Sequence, residues 1–261
     1  FKCIGRGACG RVWTLVGTSV VYKSEENNAG RSVQDEFRVH MQVQSRILDS
    51  LDKVSRMPIR ITSCYGIIET HDPWWKENQK RFPEYEITHP CRLIKTERIP
   101  PMPSEVRETL IEHYCPETLK SAVRANPQDQ DCITRLYLGR RRKPSTRKLT
   151  LMPFTLRNYL LHVDRMEEMR LDIMGYSLAL ADALAQLHWC AEIDANGVEF
   201  VLVLMADYPQ CSATSFKSEL LGPHNIWLLD YESCKPLAME EDGLDQAVDA
   251  FYRNDPYYPR P

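Results

Sequence analysis

The stretch that decides the fold is FKCIGRGACGRVWTLVGTSVVYK, residues 1–23. Its G-x-G-x-x-G-x-V motif is formed by Gly5, Gly7, Gly10 and Val12. Glycine lets the backbone approach an anion closely, because no Cβ stands in the way. The residues after Gly10 are rich in Val, Thr, Trp and Tyr and are interrupted by GTS, which predicts strand, turn and strand. The stretch therefore predicts a glycine-rich hairpin over phosphates, with Lys23 on the third strand.

Two other phosphate-binding folds do not fit these residues. A dinucleotide-binding loop opens a helix whose N-terminus receives the pyrophosphate, and no helix is predicted after Gly10. A P-loop requires Gly-Lys-Ser or Gly-Lys-Thr, whereas Arg11 and Val12 follow Gly10. The hairpin therefore remains as the interpretation.

The composition is that of an ordinary globular protein. The chain has 261 residues, 43% of them hydrophobic and 26% charged, which is enough for one large domain or two lobes around a cleft. The net charge of -3 gives no general attraction to nucleic acid or to an anionic membrane, and no apolar run is long enough to span a bilayer. Because the chain begins directly at the glycine-rich loop, we expect it to be a piece of a longer protein.

The nine cysteines favour a reducing compartment, since their number is odd and they lack the tight spacing of a disulfide framework. We therefore expect an intracellular protein, cytoplasmic or nuclear. His and Cys stand two apart in HPC, HYC and HWC, but structural zinc sites usually carry C-x₂₋₄-C and H-x₃₋₅-H pairs, and the sequence has neither. No zinc site is predicted.

Apolar residues at helical spacing after Lys23 predict a helix over residues 31–51. In kinase-like folds the helix after the lysine strand presents a glutamate that pairs with the lysine and aims it. Glu36 is the candidate for this role. The alternative is that Glu36 is a solvated helix charge beside Asp35, since most carboxylates lie at the surface.

Two strands are predicted to follow, ITSCYGIIET and CRLIKTERIPP, separated by an inserted loop at about 71–90. Trp74 and Trp75 in that loop either mark a docking surface or are its buried ends. In a two-lobed chain, the second of these strands leads into the hinge whose backbone binds adenine, and Glu97 and Ile99 are the candidates for that contact.

The second half of the chain contains the other candidate catalytic and metal-binding residues. We expect a strong helix in LDIMGYSLALADALAQLHWC, then Asp194 in a loop, an apolar strand that begins at Glu199, and a second strand that ends in Asp230. This order matches a phosphotransferase site, where Asp194 accepts the proton of the acceptor, and Asp230 and Glu199 hold Mg²⁺. A protein kinase has Asn where Glu199 stands. The alternative for Asp230 is an aspartate that caps a turn.

The basic run RRRKPSTRK, residues 140–148, invites a nucleic-acid interpretation. It has no interleaved aromatic residues and lies between turn-forming residues, which favours a solvated loop. We therefore predict no nucleic-acid partner.

As a whole, the chain resembles the kinase-like superfamily, and LLDYE is similar to the Asp-aromatic-Glu motif of the aminoglycoside phosphotransferase branch. The stretches DPWW, ERIPPMP, RLYLGRRR, LRNYLLHVDRMEEM, ADALAQLHW, DANGVEFVL and RNDPYYPRP resemble a fungal domain-of-unknown-function family whose members are often labelled zinc finger proteins. The resemblance implies a kinase-like fold, a nucleotide ligand, and ATP and Mg²⁺ as cofactors.

These observations predict an α+β, two-lobed, protein-kinase-like fold. Residues 1–99 would form an antiparallel β lobe with one helix, and residues 100–261 a mainly helical, shortened lobe with an insertion at about 104–165 and a short tail. One functional hypothesis is an active Mg-ATP-dependent phosphotransferase. The other, which we favour because the metal-binding Asn is replaced and only 31 residues follow Asp230, is a degenerate domain, a pseudokinase or interaction module for an unknown protein partner.

Overall fold

The computed structural model describes residues 1–7, 10–25, 32–51, 59–142, 154–204 and 216–260, without the side chains of residues 48–51. Within these ranges the protein is a mixed α/β structure with two β-sheets and seven α-helices. The strands are β1 (Lys2–Arg6), β2 (Gly10–Thr14), β3 (Val20–Glu25), β4 (Ile59–Ile61), β5 (Cys64–Ile68), β6 (Leu93–Glu97), β7 (Thr134–Tyr137), β8 (Tyr159–His162), β9 (Glu199–Leu204), β10 (Phe216–Ser218) and β11 (Gly222–Leu229). The helices are α1 (Val33–Leu51), α2 (Trp74–Asn78), α3 (Ser104–Tyr114), α4 (Glu117–Ala125), α5 (Val163–Glu168), α6 (Ile173–Trp189) and α7 (Glu241–Arg253).

The first sheet has the order β1-β2-β3-β6-β5, and all of its pairs are antiparallel. Its register places Val12 of β2 and Ile94 of β6 on either side of Lys23. Gly10 is required at the start of β2, because a Cβ there would lie 2.0 Å from the carbonyl oxygen of Ser24. The sheet therefore holds Lys23 on a central strand, directly beside the glycine-rich hairpin.

The second sheet has six strands, in the order β10-β11-β9-β7-β8, with β4 also paired to β11. The pairs β7 with β8 and β11 with β4 are parallel, and the other pairs are antiparallel. The second half, which was predicted to be mainly helical, thus combines the five helices α3 to α7 with the strands β7 to β11 of this sheet. Apolar runs such as FVLV in β9 and NIWL in β11 are buried, which a sheet covered on both faces requires.

Helix α1 connects the first sheet to the main core. Its first turns pack Val33 and Phe37 against Ile94 and its neighbours on β5. Further along, Val39, Val43 and Ile47 join the large core that also contains the buried face of α6. The predicted helix after Lys23 is confirmed, and its apolar stripe positions the N-terminal turn of the helix over the sheet.

The inserted segment at 71–90 contains the short helix α2, where only a loop was predicted. Trp75 is buried, and Trp74 packs against Phe1, Tyr22 and Phe82 in an aromatic cluster. The aromatic side chains that mark this segment thus form a small core on the first sheet. Of the two alternatives for Trp75, the buried one is confirmed.

Residues 104–165 supply helices α3 and α4 and strands β7 and β8, of which α4 was not predicted. Residues 143–148 of the basic run lie outside the described residues, while Arg140, Arg141 and Arg142 lie within them. No helix in the described part of the chain combines the length and apolar character needed to cross a membrane.

Candidate nucleotide and metal site

Three carboxylates from separate elements surround the ammonium group of Lys23. The Nζ atom lies 2.9 Å from Oε2 of Glu36, 3.2 Å from Oδ1 of Asp230 and 2.6 Å from Oε2 of Glu232. We refer to these four residues as the Lys23 cluster. The structure thus brings together the predicted lysine, helix glutamate and strand-end aspartate, and adds a fourth member that the sequence analysis did not assign.

Local structure explains how each carboxylate reaches Lys23. Glu36 lies in the first turn of α1, where its amide donates to the carbonyl of Ser32. Asp230 directly follows β11 in a left-handed conformation, with φ of 68°. This conformation is uncommon for a residue with a Cβ, although Asp and Asn tolerate it best. It turns the chain sharply, so that both Asp230 and Glu232 contact the lysine.

The cluster carries more negative than positive charge. Burial by itself would lower the pKa of Lys23, but Glu36, Asp230 and Glu232 together raise it well above its ordinary value, so the lysine stays charged. Burial raises the pKa of Glu36 to about 7, against the opposing effect of Lys23. Because one ammonium faces three carboxylates, the most buried of the three retains a proton most readily.

We expect the cluster to make stability depend on pH. Between its ordinary pKa of 4.5 and the value of about 7 in the folded protein, Glu36 keeps a proton that the unfolded chain loses. The contribution of Glu36 to the free energy of unfolding therefore falls as pH rises through this window. Urea unfolding of Glu36→Gln across the window should show a flatter profile than the wild type.

The matched control is Asp35→Asn, because Asp35 lies on the same helical turn but is exposed and pairs with the exposed Arg38 at 3.0 Å. This variant should keep the wild-type profile. If Glu36→Gln and the wild type lose stability in parallel as pH rises, the assignment of the proton to Glu36 is wrong.

His40 and Tyr231 hold the Asp230 turn against α1. The ring centroids of His40 and Tyr231 are 4.7 Å apart, and Nε2 of His40 lies 2.7 Å from the carbonyl oxygen of Thr62. Burial lowers the pKa of His40 to about 4, so this ring is neutral near neutral pH. Tyr231 stands between Asp230 and Glu232 in the chain and is fully buried. Its packing therefore restricts the conformation of the turn that carries these two carboxylates.

Asp194, the candidate base, is buried and accepts three hydrogen bonds. Its Oδ1 accepts from the amides of Asn196 and Lys235 at 3.1 and 2.9 Å, and its Oδ2 accepts from Nε2 of Gln246 at 3.0 Å. Only 4% of the residue is exposed. The carboxylate therefore ties its own loop to the segment after Glu232 and to α7.

Glu199, which was predicted to hold metal together with Asp230, is paired with an arginine in the structure. Oε2 of Glu199 lies 2.8 Å from Nη2 of Arg135 on the neighbouring strand β7. Burial raises the pKa of Glu199 and Asp230 adds to the rise, whereas the guanidinium of Arg135 opposes it and favours the charged carboxylate. The ion pair with Arg135 accounts for a glutamate at position 199 in a buried sheet. The sequence alone could not predict this pair, because Arg135 is remote from Glu199 in the chain.

The glycine-rich hairpin has the predicted strands on both sides. The amide of Gly7 donates to the carbonyl of Gly10 at 2.9 Å, which closes the turn, and a Cβ at Gly7 would meet open space. Gly5 lies opposite Val12 in the register of β1 and β2. The hairpin thus presents backbone next to the strand that carries Lys23.

The two hinge candidates differ. The amide of Glu97 donates to the carbonyl of Ser63, and its buried carboxylate lies 2.6 Å from Nη2 of Arg60. Its amide and side chain thus connect the end of β6 to Ser63 and to Arg60 on β4. Ile99 follows β6 and packs against the small core that contains Trp227.

Within the described residues, the one group of three side chains with metal-ligand atoms close together is Glu36, Asp230 and Glu232, whose oxygens lie within 4.8 Å of one another. Carboxylate oxygens are ligands for hard cations such as Mg²⁺, whereas structural zinc sites use mainly Cys and His. The donor set of this group therefore fits magnesium and does not fit structural zinc.

Sequence reasoning missed Glu232, Arg135 and Gln246. Glu232 stood in the quoted LLDYE motif, so its presence two residues after Asp230 was a usable signal. Arg135 and Gln246 gave no such signal, because each contacts a candidate residue more than fifty positions away in the chain.

Comparison with known proteins gives one partial similarity. The family described as DUF3669, "Zinc finger protein", matches residues 226–261, a segment that contains Asp230, Glu232 and helix α7. No curated protein and no solved structure matches the chain. The similarity thus concerns the segment that supplies two of the three carboxylates of the Lys23 cluster.

Proposed function

We propose that the chain is a kinase-like nucleotide-binding domain that has lost most or all phosphotransfer activity and serves as a regulatory or interaction module. The observation that carries the proposal is the contrast between two sites. The Lys23 cluster has the groups that align a triphosphate and its metal, while Asp194, the candidate base, is buried and accepts three hydrogen bonds from its own loop, the segment after Glu232 and α7.

The arrangement around Lys23 supports nucleotide binding. A lysine that a helix glutamate holds in place aligns phosphates in kinase-like sites, and the pair of Lys23 with Glu36 has this geometry at 2.9 Å. The hairpin of Gly5, Gly7 and Gly10 precedes the lysine strand on the same sheet. Backbone amides of the hairpin and the ammonium group would together bind the phosphate oxygens, with Ile99 near the adenine.

The charge of the cluster makes metal part of the proposal. Three carboxylates and one ammonium repel a triphosphate when no cation is present. Asp230 and Glu232 are partly exposed and lie close together, so they are the residues that would hold Mg²⁺. When bound, the metal supplies charge neutralisation between these carboxylates and the phosphates. ATP and Mg²⁺ should accordingly bind together.

The surroundings of Asp194 support a degenerate catalyst. A general base must lie within hydrogen-bond reach of the proton that it accepts. The carboxylate of Asp194 accepts hydrogen bonds from Asn196, Lys235 and Gln246. Glu199, at the position of the second metal ligand, is paired with Arg135.

The second candidate function is an active Mg-ATP-dependent phosphotransferase. The intact pair of Lys23 with Glu36 favours it, since loss of that pair is what inactivates many kinase-like sites. The two functions differ in turnover. An active enzyme would consume ATP at a rate that Asp194→Asn abolishes, whereas the degenerate domain would bind ATP without Asp194-dependent turnover.

Thermal unfolding tests the nucleotide proposal. We expect ATP with Mg²⁺ to raise the melting temperature more than either alone, since a ligand at a concentration of 100 times Kd stabilises by about 2.7 kcal/mol. Asp230→Asn should abolish the part of the shift that depends on Mg²⁺, because the amide lacks the charge that holds the cation.

Asn is the appropriate replacement at this position, since it tolerates the left-handed backbone of Asp230. The control is Asp249→Asn, which removes an exposed carboxylate of α7 that pairs with Arg253. An equal metal-dependent shift in wild type and Asp230→Asn would make Asp230 a structural residue. No shift with any ligand would contradict the nucleotide proposal.

A further inference from the structure

A second site is indicated by Arg165, a buried arginine without a counterion. Arg165 as a whole is only 9% exposed, and its Nε and Nη1 atoms are buried without a hydrogen-bond partner. Among the described residues it makes no ion pair. An isolated buried charge is costly, so an unsatisfied guanidinium calls for an explanation.

Other arginines with a buried Nε atom in the described part of the chain do not share this feature. Four of them have an unpartnered Nε, but each also donates through another nitrogen; they are Arg98, Arg107, Arg135 and Arg260. Arg165 has two unpartnered nitrogens. Its observed contact is with the face of Tyr114, 3.3 Å from the guanidinium carbon to the ring centroid. The ring orients the guanidinium but accepts none of its in-plane hydrogen bonds.

The carboxylates next to Arg165 on helix α5 are already engaged. Asp164 accepts from the amide and the guanidinium of Arg142, and Glu167 pairs with Arg141. Glu168 interacts with the hydroxyl of Tyr114 and acts on Arg165 only through space. The α5 carboxylates therefore leave the donors of Arg165 available.

The electrostatic surroundings of Arg165 favour an anion. Burial lowers the pKa of Arg165, and the charge of nearby Arg142 lowers it further, against the effects of Tyr159, Tyr114 and Glu168. Arg142 pairs with Asp164, the residue directly before Arg165. A dianion offsets the effect of the Arg142 charge on Arg165, and a planar guanidinium matches the oxygens of a phosphate group in a two-pronged hydrogen bond.

We propose that Arg165, held against Tyr114 and assisted by Arg142, forms a binding site for a phosphate monoester group. Arg165 lies in α5 and Arg142 in the segment after β7, and neither of them is a member of the Lys23 cluster. The phosphate group has two possible sources, a small phosphorylated molecule or a phosphorylated protein side chain, and the experiment distinguishes them.

The test measures thermal unfolding and calorimetric binding with inorganic phosphate, against chloride at equal ionic strength. We expect phosphate to stabilise the wild type. Arg165→Met should lower the affinity for phosphate at least about tenfold, since it removes charge-assisted hydrogen bonds. Without phosphate, Arg165→Met should be as stable as the wild type or more stable, because methionine keeps the packing on Tyr114 and removes the unpaired charge.

The matched control is Arg141→Gln, which removes a neighbouring, exposed arginine that is paired with Glu167. It should bind phosphate as the wild type does. A neutral peptide that contains phosphoserine identifies the source: tighter binding than inorganic phosphate indicates a phosphorylated side chain, and equal binding a small molecule. Equal phosphate affinity in wild type and Arg165→Met, or no binding to the wild type, overturns the proposal.

Discussion

Replacement of Lys23 by methionine is expected to lower the free energy of unfolding by about 3 to 5 kcal/mol, the usual cost of removing one partner of a buried ion pair. Methionine keeps most of the volume and the unbranched shape of lysine, so the loss is electrostatic. Glu36, Asp230 and Glu232 then face one another without the ammonium group that separates them. Urea unfolding at neutral pH measures the effect.

The pH dependence of this variant provides the control. Without Lys23, the pKa values of the three carboxyls rise, and the folded state keeps protons that the unfolded chain loses. The destabilisation should therefore be smaller at about pH 5 than at about pH 8. In the double variant Lys23→Met with Glu36→Gln, part of the lost stability should return, because one of the repelling charges is gone. Additive effects of the two substitutions would contradict a shared cluster.

Replacement of Asp194 by alanine is expected to lower the free energy of unfolding by about 3 kcal/mol, since it leaves buried donors without an acceptor. The donors are the amides of Asn196 and Lys235 and the side chain of Gln246. Chemical unfolding again measures the change, which identifies Asp194 as a structural connection between its loop and α7.

Asp194→Asn separates this role from catalysis. The amide oxygen of asparagine can still accept from the two backbone amides, while its NH₂ group faces Gln246, so we expect a loss of roughly 1 to 2 kcal/mol. A catalytic carboxylate would behave differently, because Asp194→Asn would abolish turnover with little change in stability. Wild-type stability in Asp194→Ala would refute the structural role.

Local signals in the sequence were sufficient for the N-terminal half of the site. Glycine spacing and the alternation of Val, Thr and Tyr predicted the hairpin and the lysine strand, and the helical period after Lys23 predicted α1. Lys23 and Glu36 are only thirteen residues apart. Their contact therefore followed from the order of strand and helix, as 2.9 Å between Nζ and Oε2 shows.

The second half depended on contacts that local patterns do not contain. The parallel pairing of β4 with β11 joins Ile59 to Ile226, and the ion pair of Arg135 with Glu199 crosses two strands. The sequence shows an aspartate in a loop at position 194, but its burial depends on donors 41 and 52 positions later in the chain. Spacing relative to Asp194 thus predicted a metal ligand at Glu199 where the fold places an ion pair.

Helix α2 was not predicted from the sequence, for a different reason. Its segment is rich in proline, aromatic and charged residues, which favours a loop in a local analysis. Tertiary packing decides otherwise, since Trp75 is buried and its indole NH donates to the carbonyl of Glu69 at 3.1 Å. The aromatic cluster with Phe1 and Phe82 supplies the stabilisation that local propensity does not.

The most direct test of the central proposal is a calorimetric titration of the wild-type chain with ATP, once with Mg²⁺ and once with EDTA. We predict saturable binding of one ATP per chain with Mg²⁺ and much weaker binding with EDTA, because the excess negative charge of the Lys23 cluster repels the unaccompanied triphosphate. Binding of equal strength in both titrations would contradict the role of the carboxylates. Absence of binding in both would contradict a nucleotide site at Lys23.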